Sequence, residues 1–415
     1  MSTLSRRGRG MVKDILPYFK ESMIASSDAF SSENSDGYVN FSIAENRQCA
    51  ASLRQKLVDC AQEEPDHLFY DDMKGKEKFR SQIAGYLERT VVGRKVDPSH
   101  VCASSGVGAC LEMLSFALCE DGESMLIPAP YYTGFDNDTG IRPGLALVPC
   151  ERRAENNFSI TRESLDDAKK RAEREGTPAR CLLISNPDNP TGLCFSESDV
   201  QMMVDWCRDN KIHGIFDEIY ANSVYGNDEF NSVTRVTGND MGDYVHALFG
   251  MSKDFGLSGY RIGFIYTQNK ELMSAINMQS YFCAISCQTQ TTIGGLLSDA
   301  PFIDSFIKEN NEKLKHLSTK LLGELQAGGI RCVVPSAGFF IFLNLSELME
   351  EDTVESEKKL WMSLFNESKV LFTPGFACHS QENGWFRCCF AAVDEDAMME
   401  GCRRIIDFVN ARRRH

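Results

Sequence analysis

The central part of the chain alternates short apolar runs with amphipathic stretches. Six apolar runs predict buried strands, at residues 124–127, 145–148, 181–185, 213–217, 245–250 and 262–266. Apolar positions at helical spacing predict helices at 77–87, 108–118, 165–175 and 198–208. Continuous apolar strands that alternate with helices are typical of a buried, mostly parallel sheet. We therefore predict an α/β fold whose large domain spans residues 56–300.

The pattern changes after residue 300. A long helix is predicted at 302–327 and ends at Gly328-Gly329. The remaining predicted elements are strands at 338–343, 370–372 and 385–391 and helices at 355–367 and 395–412. They predict a smaller α+β domain over residues 301–415. Residues 1–55 are polar and irregular, which indicates an arm rather than a domain.

Composition narrows the class of protein. The 415 residues carry a formal charge of −15, and this acidity disfavours nucleic acid or an anionic membrane as the main partner. Sixteen scattered cysteines without a CxxC spacing and seven dispersed histidines predict reduced thiols and no metal site. No apolar run approaches the roughly 18 residues that span a bilayer, and none follows the basic N-terminus as in a secretory signal. We expect a cytoplasmic protein.

Two polar motifs directly follow predicted strands. Residues 185–192 read SNPDNPTG, and the prolines restrict the direction in which Asn189 points. In open α/β sheets, ligands bind at the carboxyl ends of the strands. Asp217 ends the next strand, where a buried carboxylate is costly without a cation such as a protonated cofactor nitrogen, and Tyr220 lies within reach of the same place. A plain loop and a helix-capping carboxylate remain the alternatives for these motifs.

A third motif follows the strand at 245–250. Lys253 begins a glycine-rich loop that leads to Arg261. A lysine at a strand end beside glycines can approach a carbonyl compound closely enough to form a Schiff base. An arginine eight residues later offers a two-pronged contact for phosphate. Taken alone, this pattern is weak evidence for function.

The three motifs together are much more specific. In their order and spacing, NPDNPTG, DEIY and SKDFGLSGYRIG resemble fold-type I pyridoxal-phosphate enzymes of the class I/II aminotransferase group. IAEN at 43–46, PAPYYTGFD at 128–136 and WFRCCF at 385–390 are most similar to 1-aminocyclopropane-1-carboxylate (ACC) synthases and synthase-like proteins. The resemblance runs over nearly the whole chain. It implies a seven-stranded, mostly parallel sheet between helices, a small domain that the N-terminal arm joins, and a homodimer.

The resemblance also implies a role for each site residue. Lys253 would hold pyridoxal 5′-phosphate and, once a substrate amine displaces it, move the α-proton as the general base. Asp217 would keep the ring nitrogen protonated, and Arg387 would bind the α-carboxylate of an amino-acid substrate. Glu45 would lie near the substrate side chain. The remaining cofactor contacts would be Asn189 and Tyr220 at the ring 3-oxygen, Tyr132 on the ring face, and Gly108, Ala109, Ser252 and Arg261 at the phosphate.

The residues expected around the cofactor phosphate differ from those of the enzymes that this chain resembles. Met73 stands where ACC synthases have a tyrosine that reaches a phosphate across a dimer interface. The phosphate turn reads GVGA at 106–109, where a serine or threonine is usual, and Gly250 stands where a serine is frequent. Each absent neutral contact is worth roughly 0.5–1.5 kcal/mol. Ser104 or Ser105 is the alternative source of a hydroxyl.

Three functions follow from these observations. The first is ACC synthase-like loss of a sulfur or sulfonium leaving group, as from S-adenosylmethionine, since the charge of Glu45 suits a sulfonium. The second is transamination or carbon–sulfur β-elimination on another amino acid, which uses the same residues and which Met73 favours slightly. The third is a catalytically degenerate binding protein, against which Lys253, Asp217 and Arg387 argue.

Overall fold

The computed structural model of the protein describes residues 2–414 and confirms the α/β fold. Its strands, numbered along the chain, are β1 (Val39–Asn40), β2 (Val101–Ser104), β3 (Ser124–Ala129), β4 (Ala146–Glu151), β5 (Ala179–Ser185), β6 (His213–Asp217), β7 (Val245–Gly250), β8 (Gly263–Thr267), β9 (Arg331–Cys332), β10 (Phe340–Asn344), β11 (Val370–Leu371), β12 (Thr373–Pro374) and β13 (Trp385–Cys389).

Seven of these strands form the central sheet, in the spatial order β2-β8-β7-β6-β5-β3-β4. The strand pairs from β4 across to β7 are parallel, whereas β8 is antiparallel to both of its neighbours. Almost every residue of β3, β5, β6 and β7 is buried, as the continuous apolar runs predicted. Ser185 of β5 is in register with Asp217 of β6, so the polar ends of these strands meet at one edge of the sheet.

Helices cover both faces of the sheet and build the rest of the molecule. They are α1 (Arg6–Gly10), α2 (Phe19–Ser27), α3 (Ala50–Cys60), α4 (Glu77–Leu87), α5 (Val107–Leu118), α6 (Phe135–Gly140), α7 (Arg162–Arg174), α8 (Glu197–Asn210), α9 (Val233–Val236), α10 (Lys270–Gln279), α11 (Cys287–Ser298), α12 (Ala300–Ala327), α13 (Val354–Ser368) and α14 (Glu395–Arg413). Within residues 2–414, none of them is long and apolar enough to cross a membrane.

A smaller antiparallel sheet, in the order β12-β13-β10-β9, follows α12 along the chain. Its strand β13 carries Arg387, which is fully buried. The N-terminal arm meets this region, because β1 pairs in parallel with β11. The division of the chain at residues 55 and 300 stays a prediction, and α3 runs through the first of these positions.

Several elements differ from the sequence-based expectation. The arm is not irregular, since α2 and the first half of α3 lie within residues 1–55. Helices α10 and α11 and the edge strand β2 were not predicted. Helix α11 has the sequence CQTQTTIGGLLS, which favours helix weakly, and it forms where it packs against α3 and α4. The strand predicted at 385–391 ends at Cys389, because residues 390–392 form a 3₁₀ turn.

Candidate active site

The three motifs meet at one cavity. It has a volume of about 170 Å³ and lies at the carboxyl edge of β5, β6 and β7. Its wall is formed by Val107, Gly108, Leu111, Tyr132, Phe135, Asp138, Ser185, Asn189, Asp217, Ile219, Tyr220, Ser252, Lys253, Ser258 and Arg261. Eight of the nine residues expected at the cofactor therefore share a single site.

Asp217 ends β6 and is 4% exposed. Its carboxylate accepts a hydrogen bond of 3.3 Å from the backbone N–H of Ile219. Burial raises the pKa of Asp217 to about 7, and the backbone hydrogen bond and the nearby Lys253 only partly oppose this rise. The buried carboxylate therefore offers a strong site for a cationic N–H group.

Lys253 lies three residues beyond the end of β7. Its Nζ donates a hydrogen bond of 2.6 Å to the carbonyl oxygen of Ala44, from the N-terminal arm. Burial lowers the pKa of Lys253 to about 8, and the nearby guanidinium of Arg387 acts in the same direction. A substantial fraction of this amine is neutral near pH 8, so it can attack a carbonyl carbon or accept a proton.

A buried chain of hydrogen bonds joins the cavity to the small sheet. The Nδ2 of Asn189 donates to the hydroxyl of Tyr220 over 3.4 Å, and the Nη1 of Arg387 donates to the Oδ1 of Asn189 over 3.0 Å. The Nη2 of Arg387 donates to the carbonyl oxygen of Ser42 at 2.9 Å and the hydroxyl of Thr373 at 3.0 Å. The Nε of Arg387 has no partner among residues 2–414. A buried guanidinium with a free N–H is suited to an incoming carboxylate.

Two groups of buried polar residues near the site were missed by sequence reasoning. Tyr18, in the arm, is 4% exposed, and its hydroxyl lies beside Thr373 and Thr133 and near Arg387. Burial raises the pKa of Tyr18. The arm has no strand–loop pattern, so the sequence carries no signal for this tyrosine.

The second missed group is the ion pair of Arg152 and Asp188. The Nη2 of Arg152 donates to Asp188 over 3.0 Å and to the carbonyl oxygen of Pro130 over 2.5 Å, and both charged side chains are buried. Asp188 also accepts a hydrogen bond from Thr191. The pair thus ties the turn that holds Asn189 to the segment that leads into Tyr132. The two charges are 36 residues apart in sequence, so only the fold reveals the pair.

The first turn of α5 forms the other end of the cavity. Gly106 precedes the helix with φ of 98°, and a Cβ atom there would lie 2.5 Å from the Nη2 of Arg261. Glycine therefore allows the guanidinium to approach the helix N-terminus. Gly108 and Ser252 line the cavity as expected, whereas Ala109 lies in the same turn without lining it. Backbone N–H groups and a guanidinium at a helix start fit a phosphate.

Neither Ser104 nor Ser105 lines the cavity, so neither supplies the hydroxyl that the phosphate turn lacks. Ser104 directs its Oγ to the carbonyl oxygen of Cys283, 3.3 Å away. A Cβ at Gly250 would lie 2.8 Å from the Cγ2 of Val107, and a Cβ at Gly108 would lie 2.9 Å from the Oδ1 of Asp138. Burial raises the pKa of Asp138 to about 7 although Arg261 opposes the rise. Val107 and Asp138 thus fill the space that hydroxyl-bearing side chains would need.

Comparisons with known proteins agree with this geometry. The family model "Aminotransferase class I and II" matches residues 36–405. The chain belongs to the class I and II aminotransferase family. The curated relative "1-aminocyclopropane-1-carboxylate synthase 9" of Arabidopsis thaliana is 33% identical over 397 residues, covering 91% of this chain and 84% of the relative. "1-aminocyclopropane-1-carboxylate synthase-like protein 1" of the same organism is 32% identical over 411 residues, covering 95% and 83%.

Solved structures show the same fold for this class I and II family member. An aspartate aminotransferase from Thermotoga maritima has a TM-score of 0.80 at 21% identity, over 98% of this chain and all of that one. An aspartate aminotransferase from Rhizobium meliloti has a TM-score of 0.83 at 19% identity, over 99% of both chains. The chain is therefore an enzyme of a pyridoxal 5′-phosphate-dependent transferase and lyase family.

The residues at the cavity fit this cofactor. Asp217 is a buried carboxylate that suits a protonated ring nitrogen, and Lys253 is a lysine of lowered pKa that suits an aldehyde. Arg261 and the start of α5 suit a phosphate. The predicted cofactor is thus consistent with the donor groups present, and the individual residue roles stay predictions.

Proposed function

We propose that this enzyme removes the α-proton of an amino acid and then releases a side-chain leaving group, as an ACC synthase does. The observation that carries the proposal is the placement of Lys253, Asp217 and Asn189 around one cavity, with Arg387 hydrogen-bonded to Asn189 behind the cavity wall. The ACC synthase relatives support the leaving-group chemistry.

Arg387 orients the substrate. Its guanidinium is fully buried, and its Nε is free to bind one oxygen of the α-carboxylate. The hydrogen bonds to Asn189, Ser42 and Thr373 hold the guanidinium in place, so little side-chain entropy is lost on binding.

Lys253 moves the proton. Because burial lowers its pKa to about 8, its Nζ can accept the α-proton and return it within the physiological range of pH. When bound, pyridoxal 5′-phosphate withdraws electrons from the α-carbon and so stabilises the negative charge left there. Asp217 would keep the ring nitrogen protonated, Asn189 and Tyr220 would hold the ring 3-oxygen, and Tyr132 would cover the ring face. Gly108, Ala109, Ser252 and Arg261 would bind the phosphate.

A direct test is to incubate the cofactor-loaded enzyme with S-adenosylmethionine and to measure ACC and methylthioadenosine. Formation of both products in equal amounts supports ACC synthase activity. Absence of ACC at full cofactor occupancy rejects this version of the function.

Transamination or carbon–sulfur β-elimination is the second candidate. It needs the same residues, and two departures favour it: Met73 replaces a tyrosine, and Arg47 forms an ion pair with Glu45, the residue expected to attract a sulfonium. A panel of amino acids would show an oxo acid with an amine-form cofactor for transamination, or an oxo acid with ammonia and a thiol for β-elimination. Neither product across the panel contradicts this candidate.

A homodimer is the proposed assembly. Leu68, Phe69 and Tyr70 are 79%, 70% and 95% exposed, and Tyr281 and Phe282 are 70% and 77% exposed. The patch of Tyr281 and Phe282 lies near the start of α5. The carbonyl oxygen of Cys283, the next residue, accepts a hydrogen bond from the backbone N–H of Ser105. Large exposed apolar patches mark interaction surfaces. Light scattering after size exclusion tests this assembly, and a stable, active monomer contradicts it.

A further inference from the structure

The segment 44–47 lies over the reactive lysine. The carbonyl oxygen of Ala44 accepts the hydrogen bond from Lys253, and the backbone N–H of Arg47 donates to the carbonyl oxygen of Ala391 over 3.0 Å. The Sγ of Cys389 lies 3.7 Å from the carbonyl oxygen of Glu45. The segment is therefore tied both to the lysine and to the strand that carries Arg387.

Two partners hold the carboxylate of Glu45. The hydroxyl of Ser258, which lines the cavity, donates to Oε1 over 3.1 Å. Arg47 donates to Oε2 from Nε over 3.2 Å and from Nη2 over 2.9 Å. The side chains of Glu45 and Arg47 are 35% and 62% exposed. The ion pair thus stands at the edge of the cavity, and the Nη1 of Arg47 is open to a ligand.

This pairing changes the electrostatics of the side-chain pocket. Glu45 alone would attract a cation, but Arg47 cancels its charge. The charged groups beyond this pair are Lys253, with Arg387 and Asp217 near it, and Arg261, whose Nη1 donates to the carbonyl oxygen of Ser258. At this edge of the cavity a sulfonium would therefore meet a neutral ion pair in place of a free carboxylate, whereas a carboxylate side chain would meet the Nη1 of Arg47.

We propose that Arg47 is a specificity-determining residue that favours amino acids with an uncharged or carboxylate side chain over those with a cationic one. The inference rests on the proposed function, because it uses the orientation that Arg387 gives to the substrate. It makes uncharged sulfur and other neutral leaving groups more favourable than a sulfonium. Arg47 selects the substrate by its charge and takes no part in proton transfer.

The test uses the pyridoxal-phosphate-loaded enzyme and follows the absorbance of the cofactor during titration. The ligands are S-adenosylmethionine, methionine and aspartate, which carry a cationic, a neutral and an anionic side chain. Arg47→Gln should tighten binding of S-adenosylmethionine about threefold and weaken that of aspartate about threefold, because a half-exposed charge acts through solvent. The ratio of the two dissociation constants should therefore change about tenfold, with methionine unchanged.

Two matched variants sharpen the result. Arg54→Gln removes the same charge from the exposed side of α3 and should leave the ratio unchanged. Arg47→Lys keeps the charge and should keep the preference. If Arg47→Gln binds all three ligands but the ratio of the dissociation constants of S-adenosylmethionine and aspartate is unchanged, this inference is wrong and the proposed function is unaffected. If none of the three ligands perturbs the cofactor absorbance of the unaltered enzyme, the proposed function fails and the inference fails with it.

Discussion

The two ends of the cofactor cavity are built in different ways. At the ring end, side chains supply the chemistry: Asp217 and Lys253 have shifted pKa values, and Asn189, Tyr220 and Arg387 form one hydrogen-bonded chain. At the phosphate end, the start of α5 and a single arginine supply most of the binding groups. The predicted ring end therefore has every side chain expected there, whereas the predicted phosphate end lacks hydroxyls that the resembling enzymes have.

The difference has a physical reason. A general base and a ring-nitrogen partner each act at one atom, and no backbone group can replace them. A phosphate, by contrast, binds to backbone N–H groups and to a helix N-terminus that many sequences can form. Loss of one neutral hydrogen bond costs roughly 0.5–1.5 kcal/mol, which a covalent link to Lys253 can offset. The ring end is thus the less tolerant of change.

The largest effect is expected for Lys253→Ala. Loss of the general base should lower turnover by roughly 10³-fold or more, and the absorbance of covalently held cofactor should disappear. Turnover and the absorbance spectrum of the purified variant provide the measurement. Lys308→Ala, on the exposed face of α12, is the matched control and should behave as the unaltered enzyme. A normal spectrum in Lys253→Ala would place the cofactor elsewhere.

Asp217→Asn should lower turnover by roughly 10²-fold, because the ring nitrogen loses its charged partner. The same substitution should stabilise the cofactor-free protein. Burial raises the pKa of Asp217 to about 7, so the charged carboxylate destabilises the cofactor-free protein above that pH. The variant should therefore have a higher melting temperature than the unaltered cofactor-free protein at pH 8, and the difference should shrink towards pH 4.

Glu218→Gln is the control for this prediction. Glu218 adjoins Asp217 but accepts hydrogen bonds of 2.6 Å from Ser232 and from the backbone of Val233, away from the cavity. Burial raises the pKa of Glu218 to about 8, so this variant should also gain stability above that pH, while each folded molecule keeps its activity. Equal losses of activity in both variants would contradict the role of Asp217.

Arg261→Gln tests the anchoring end. Loss of a charged hydrogen bond should weaken the affinity for pyridoxal phosphate roughly 10- to 100-fold, since such bonds contribute about 1.5–3 kcal/mol. Turnover at saturating cofactor should change far less. Equilibrium titration of the cofactor-free protein measures the affinity, and Arg174→Gln at the end of α7 is the surface control. An unchanged affinity would mean that the backbone alone anchors the phosphate.

The smallest effect is expected where a hydroxyl is restored. Gly250→Ser alone should destabilise the protein, because its Cβ would lie 2.8 Å from Val107. Combined with Val107→Ala, it should tighten cofactor binding roughly threefold to tenfold through one neutral hydrogen bond. Affinities of the two single variants, the double variant and the unaltered enzyme give the coupling between the positions. Additive changes in cofactor affinity would show that Val107 does not block the space beside Gly250.

Asn189, Asp217 and Lys253 could be predicted from sequence because each ends or follows a predicted strand, whereas Arg387, within β13, was expected only from the family resemblance. Asp217 and Lys253 come at or just after apolar runs whose bounds, 213–217 and 245–250, the structure reproduces. Tyr18 and the pair of Arg152 and Asp188 could not be found, because their partners are distant in sequence and their segments carry no periodic pattern. Helix α11 was missed for a related reason, since packing rather than propensity stabilises it.

The sequence by itself determined the α/β class and the order of the motifs, because these depend on hydrophobic periodicity and on residue types at strand ends. The cofactor followed from the resemblance of those motifs to a known enzyme family. Only the tertiary structure decided which charges neutralise one another. Arg47 cancels Glu45 and Val107 closes the space beside Gly250, and both facts depend on distances of a few ångströms between side chains. Electrostatic and steric interactions fall off steeply with distance, so the pocket that selects the substrate depends on the fold.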